Sequence, residues 1–183
     1  MKYNVITKEE IIEKCLVLIR NQGWQSFNIR KLAEECNIST GTVYNYFDSK
    51  TSLLVEVVEN VWDEIFDHGD LEFDDILGYV DWIFSRIQYG NEKYSGFFRA
   101  HSSLFSDSEK NEAKIAMVRM WKKFRADLVV TLQKDRKVDL FSKQDQESVE
   151  KMINIILSMI LASIVKQDYD PELTRYTIIK ILH

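Results

Sequence analysis

The chain has 183 residues, 45% of them hydrophobic and 29% charged, with six glycines and one proline, a composition that excludes a disordered or collagen-like polymer. Its net charge of −5 excludes a uniformly basic nucleic-acid coat, yet the acidic excess falls entirely on residues 51–183, while residues 1–50 balance slightly positive. Screening over about 8 Å lets one locally basic face act alone.

The first helix is expected to start at Thr7, where Thr7-x-x-Glu10 has the form of a capping box, and to close at Gly23. Ile11, Ile12, Cys15, Leu16 and Ile19 form its apolar stripe. Asn28 then caps a short helix that buries Ile29, Leu32, Ala33 and Cys36. Asn37 tolerates a left-handed backbone, and Ser39 caps a third helix through about Tyr46. Asp48 or Ser49 opens a fourth, which carries Leu53, Leu54, Val57, Val58, Val61, Trp62 and Ile65.

Beyond Gly69 the period stays helical. Residues 73–89 place Ile76, Leu77, Val80, Ile83, Phe84 and Ile87 on one face, and residues 91–105 read as aromatic and irregular. A long helix from about Asp107 is expected to bury Ile115, Val118, Trp121, Leu128 and Leu132. Ser142-x-x-Asp145 opens another through about Gln167, and Asp170-Pro171 starts the last. The expectation is an all-α fold of about nine helices, with no convincing strand. The longest apolar run, around Met152–Val165, is broken by Asn154, Ser158 and Ser163, and the N-terminus lacks the apolar core of a secretory signal. A cytoplasmic location with no membrane partner is therefore expected, with Cys15 and Cys36 as buried thiols.

The sharpest signal is NIRKLAEECNISTGTVYNYF, residues 28–47. Two short helices joined at Cys36-Asn37-Ile38-Ser39 are what a helix-turn-helix needs: one braces across the DNA backbone and the next enters the major groove. Ala33 is small where the helices cross, Ile38 plugs the turn, and Val43 and Phe47 are core positions. The pattern Ala33, Asn37-Ile38-Ser39, Gly41, Val43, Tyr44, Tyr46, Phe47, Ser49, Lys50 and Leu53, with Gly23-Trp24 and Arg30-Lys31-Leu32 upstream, resembles the DNA-binding region of the TetR family of regulators. Cys15, Asn28 and Cys36-Asn37 stand where that family usually has Ala, Thr and Ala-Gly, and each exchange is physically mild.

The resemblance implies a helix-turn-helix domain over residues 1–50 and a helical effector-binding and dimerisation domain over residues 51–183. It implies a homodimer through residues 143–183 on double-stranded operator DNA, probed by a small-molecule effector. Lys50, Tyr44 and Tyr46 are expected on phosphates. Thr40, Thr42 and Asn45 are expected to face base edges, with Ser39 and Gly41 at the close approach and Asn28 and Arg30 at the phosphates or an edge base. The dense aromatics of the middle helices suggest a pocket of Trp62, Phe66, Trp82, Phe98 and Trp121, with Arg86 and His101 as polar groups that orient an apolar or aromatic ligand. Core packing is the competing reading of each ring. His68 and His183 lie far apart, so no metal is expected, and no cofactor. No nucleophile–base pair or phosphate-binding glycine loop is legible, so the chain is not expected to be an enzyme. The rival to a ligand-responsive repressor is a helical protein-interaction adaptor with a retained helix-turn-helix head. That rival would need the recognition surface to have lost Lys50, Tyr44 or Gly41, and all three are present.

Overall fold

The computed structural model describes residues 6–24, 27–69, 71–100, 110–136, 138 and 146–182. Among them every regular element is a helix: α1 (Lys8–Gln22), α2 (Ile29–Glu35), α3 (Thr40–Tyr46), α4 (Lys50–Phe66), α5 (Ile76–Lys93), α6 (Phe97–Ala100), α7 (Lys110–Lys134), α8 (Gln146–Lys166) and α9 (Glu172–Leu182). The all-α expectation holds. The helix start expected near Asp107, the Ser142/Asp145 capping box, the side chain of the expected core position Ile115 and the candidate ligand residue His101 lie outside what is described.

Two compact units divide the chain. One comprises the residues up to Ile65 together with Gly90–Ala116, and the other Phe66–Tyr89 with Met117–His183. The unit that holds the helix-turn-helix thus runs past residue 50 and takes in a second stretch of sequence.

In the first unit the caps are as the sequence specifies. The Glu10 amide donates to Thr7 Oγ1 (3.2 Å) and the Thr7 amide to Glu10 Oε2 (2.7 Å), so two amides that the helix cannot satisfy are paired. Gly23 ends α1 at φ 77°, a conformation open to glycine at no steric cost. Ile11, Cys15, Leu32, Val43, Leu53 and Val57 are fully buried, each large aliphatic worth about 1.5–3 kcal/mol. Gly90 of α5 lets the backbone touch Ile65 of α4: a Cβ there would stand 2.5 Å from Ile65 Cδ1. Around this contact the rings of Trp62 and Phe97 meet edge to face at 5.1 Å, and Trp24 tilts against Phe97 at 5.2 Å. Beside them the Tyr94 hydroxyl donates to Glu64 Oε2 (2.6 Å) and accepts from Arg20 Nη2 (2.8 Å), while Lys93 pairs with Glu64. Burial alone would raise the Glu64 pKa, but the bonds from Lys93 and Tyr94 and the charges of Lys93 and Arg20 hold it below its ordinary value. Burial and the bond to Glu64 push the Tyr94 phenol up to about 12.

In the second unit Tyr79, Val80, Ile83, Ile87, Leu128, Ile153, Ile156, Ile160 and Ile178 are sealed from solvent. The buried Asp135 carboxylate accepts the Ile76 amide (3.0 Å), which caps α5 from the end of α7. Asp170 accepts the Glu172 amide (2.9 Å) and starts α9 as expected.

Three expectations change. Helix α5 extends to Lys93, into the stretch read as irregular, because Gly90 interrupts the apolar stripe without breaking the helix. The buried line of α7 is Met120, Phe124, Leu128 and Leu132, a four-residue spacing that leaves Val118 41% exposed and Trp121 half-buried. Third, Asn154, Ser158 and Ser163 do not bring α8 below span-like character. Within Glu147–Lys166 the helix is long and apolar enough to cross a membrane by length and composition alone, a test that the core helix of a globular fold also passes. Small polar residues dilute such a helix little, and Ile155, Leu161 and Val165 remain exposed on it.

Candidate nucleic-acid interface

Helices α2 and α3 owe their geometry to a turn of four residues. The Ile38 amide donates to the Ala33 carbonyl (2.9 Å) and the Asn37 amide to that of Glu34 (3.0 Å), with Asn37 left-handed at φ 53°. Asparagine is among the few non-glycine residues that enter this region readily, because its short amide bonds locally. Asn28 caps α2 by accepting the Arg30 amide (2.8 Å), and Ser39 caps α3 by accepting that of Thr42 (3.0 Å). Val43 and Phe47, 0% and 3% exposed, fix α3 to the core. Its other face carries Thr40, Gly41, Tyr44 and Asn45, all exposed.

Helix α4 begins with a reciprocal pair: Ser52 N–H donates to Ser49 Oγ (3.0 Å) and Ser49 N–H to Ser52 Oγ (3.1 Å). That start sets Lys50 beside α2 and α3. Phe27, Asn28, Ile29, Arg30, Thr40, Tyr44 and Lys50 line one surface groove of about 330 Å³. Among the described residues neither Arg30 nor Lys50 makes an ion pair, so two cationic side chains face solvent at one concavity. Such a groove suits a phosphate, whose oxygens accept from cations, hydroxyls and amides together.

Five of the ten expected DNA-binding residues meet there, namely Asn28, Arg30, Thr40, Tyr44 and Lys50. Gly41 and Asn45 lie exposed on α3 outside the groove lining. Two residues play other parts. The Tyr46 hydroxyl donates its proton to the Ile6 carbonyl and has none left for a phosphate, so its role is to tie α3 to the segment before α1. Thr42 is half-buried with Oγ1 2.9 Å from Ser39 Oγ, so its hydroxyl is engaged within the helix start. Phe27 went unnoticed in the sequence; the only signal was an aromatic placed directly before an N-cap. Burial pushes the Cys15 thiol above its ordinary pKa, as expected of a core thiol, whereas Cys36, expected buried, is only half-buried because it stands at the C-cap of α2.

The residues expected to hold a ligand divide between the units. In the first, Trp62 and Phe98 pack at 5.4 Å. In the second, Phe66 meets Trp82 at 6.3 Å and Phe124 at 4.8 Å, with Trp121 on the far side of Phe124 at 5.8 Å. Trp82 and Trp121 are half-buried, and the Arg86 guanidinium lies over the Tyr89 ring at 4.3 Å. A neighbouring cluster was not anticipated: Asp127 accepts from Tyr79 (3.3 Å) and faces His68 Nε2 (3.5 Å), amid the rings of Phe73 and Trp82.

Over residues 11–57 the sequence matches the family described as bacterial regulatory proteins, tetR family. It is similar to the HTH-type transcriptional regulator YuxN of Bacillus subtilis (strain 168), 39% identical over 56 residues that cover 31% of this chain and 19% of that protein. It is similar to the HTH-type transcriptional repressor KstR of Rhodococcus jostii (strain RHA1), 31% identical over 62 residues that cover 34% of this chain and 29% of that one. The matched region therefore spans less than a third of these relatives' length. The crystal structure of a TetR-family transcriptional regulator from Marinobacter aquaeolei VT8 shares the fold, with a TM-score of 0.57 at 19% identity over 85% of this chain and 77% of that one. Residues 11–57 thus match the bacterial regulatory proteins of the tetR family, and the helical fold is one that a TetR-family regulator shares.

Proposed function

We propose that this regulator binds operator DNA as a two-fold homodimer and represses transcription until an apolar or aromatic small molecule releases it. The observation that carries the reading is the groove in which Asn28, Arg30, Thr40, Tyr44 and Lys50 converge, with both cations unpaired among the described residues. Arg30, Tyr44 and Lys50 hold phosphates and set the register; Thr40 and Asn45 read base edges, and Asn pairs well with adenine. One short recognition helix gives little affinity, so two heads act together. The partner surface is the exposed apolar stripe of Ile155, Leu161 and Val165 on α8 with Leu173, Tyr176 and Ile179 on α9. Exposed apolar side chains at helical spacing along two neighbouring helices favour a second copy. Repression follows from occupancy alone, since a protein seated on a promoter blocks polymerase without touching it. The half-buried Trp82 and Trp121 make an aromatic effector the chemical class to try first.

Selection from a pool of random duplexes by the purified protein tests the reading. The expected result is an inverted repeat whose half-sites lie about one helical turn, roughly 34–36 Å, apart or a multiple of it. Recovery of no enriched sequence, or of a single half-site bound by a monomer, overturns it.

A further inference from the structure

Phe27 stands directly before the N-cap of α2 and is only 7% exposed, yet its ring forms part of the groove wall. The Lys50 ammonium lies over that ring, 5.6 Å from its centroid, within the ~6 Å reach of a cation–π attraction. Lys50 is exposed and makes no ion pair among the described residues, so the ring is what selects one arrangement of a long, flexible stem. Lys8, which also lies over a ring, behaves differently. Lys8 lies 5.1 Å from the Phe47 centroid but also pairs with Glu56 at 2.6 Å, so a carboxylate already answers its charge.

We infer that Phe27 is a positioning residue for the phosphate site: its ring holds Lys50 over the groove before DNA arrives. The inference rests on the reading of Lys50 as a phosphate contact. A lysine already ordered loses less rotamer freedom when it meets the phosphate, which is how pre-organisation raises affinity. The ring adds to this without neutralising the charge, because its negative face attracts the ammonium while leaving the other N–H groups free to donate. An aliphatic residue would fill the same core volume and would hold Lys50 no better than solvent does.

The test is a two-by-two comparison of wild type, Phe27→Leu, Lys50→Ala and the double variant. Affinity for a non-specific duplex is read by fluorescence anisotropy across a salt series. Lys50→Ala is expected to weaken binding and make the salt slope shallower by about one ion. Phe27→Leu is expected to weaken binding about two- to five-fold, the scale of an exposed cation–π contact, with the slope unchanged because the charge remains. In the Lys50→Ala background Phe27→Leu is expected to add nothing. An equal loss from Phe27→Leu in both backgrounds overturns the positioning role and leaves the phosphate contact standing. A Lys50→Ala variant that binds like wild type overturns the phosphate contact itself. Should Phe27→Leu fail to fold, pentafluorophenylalanine at position 27 keeps the ring's shape and reverses the charge of its face. It is expected to show the same loss, and wild-type affinity there overturns the inference.

Discussion

Gly41 allows a decisive separation of fold from function. It is the second residue of α3, exposed, and its backbone is not left-handed. A Cβ built on it meets one atom within 4 Å, Ser39 Oγ at 3.5 Å, which is ordinary van der Waals contact. The fold therefore has no steric reason to keep glycine there. Gly41→Ala should gain the helix propensity difference, up to about 1 kcal/mol in a helix interior and less in a first turn. At roughly 2–4 °C per kcal/mol for a chain of this size, the melting temperature should rise by a degree or two. The added methyl meets nothing else within 4 Å, at a point where the proposed function brings the start of α3 close to DNA. Lost contacts worth about 1–3 kcal/mol should weaken operator affinity roughly five- to 150-fold. Calorimetry and anisotropy on the same preparation read both effects. A lower melting temperature would show that the fold does need the glycine. Unchanged operator affinity would show that DNA does not approach α3 at this point.

Further outcomes follow from packing and charge. Gly90→Ala drives a Cβ to 2.5 Å from Ile65 Cδ1 and should cost about 1–3 kcal/mol in chemical denaturation, with partial recovery in the Ile65→Val background, which lacks that methyl. The Tyr94 phenol, raised to about 12 from an ordinary value near 10, is favoured in its neutral form by folding. Its contribution is therefore complete below about pH 10 and lost as pH rises through about 12, so Tyr94→Phe should flatten the alkaline limb of a stability–pH profile. Glu64 acts in the opposite sense: its folded pKa is lowered, so its contribution is present above about pH 4.3 and lost as pH falls through the folded value. Leu161→Asp places a carboxylate in the exposed stripe of α8 and should yield a monomer by light scattering, with helicity retained.

The head was legible because its signals are local. Caps at Thr7, Asn28 and Ser39, the left-handed Asn37 and the terminal Gly23 each specify backbone geometry within a few residues, and all stand where the sequence puts them. The site was half legible. Residue type and helix face mark Arg30, Tyr44 and Lys50, but only three-dimensional contact reveals that the Tyr46 hydroxyl is spent on a carbonyl forty residues earlier. The aromatic middle was least legible. Rings at helical spacing satisfy a core and a ligand box equally, and the choice of buried line on α7, through Phe124 rather than Val118, is made by the helices packed against it.

The aromatic and ionic seam around Phe97 and Tyr94 bears on how this chain can be recombined with the regulators it resembles. Trp24 and Arg20, on the first helix and just after it, find their partners at residues 94–97, more than seventy positions downstream. A chimera spliced at residue 50 would separate them from those partners, leaving an indole and a guanidinium fitted to a surface they no longer meet. Exchange of DNA specificity between relatives should therefore transplant residues 90–98 along with the first 65, or graft only the exposed positions of α3 onto an intact scaffold.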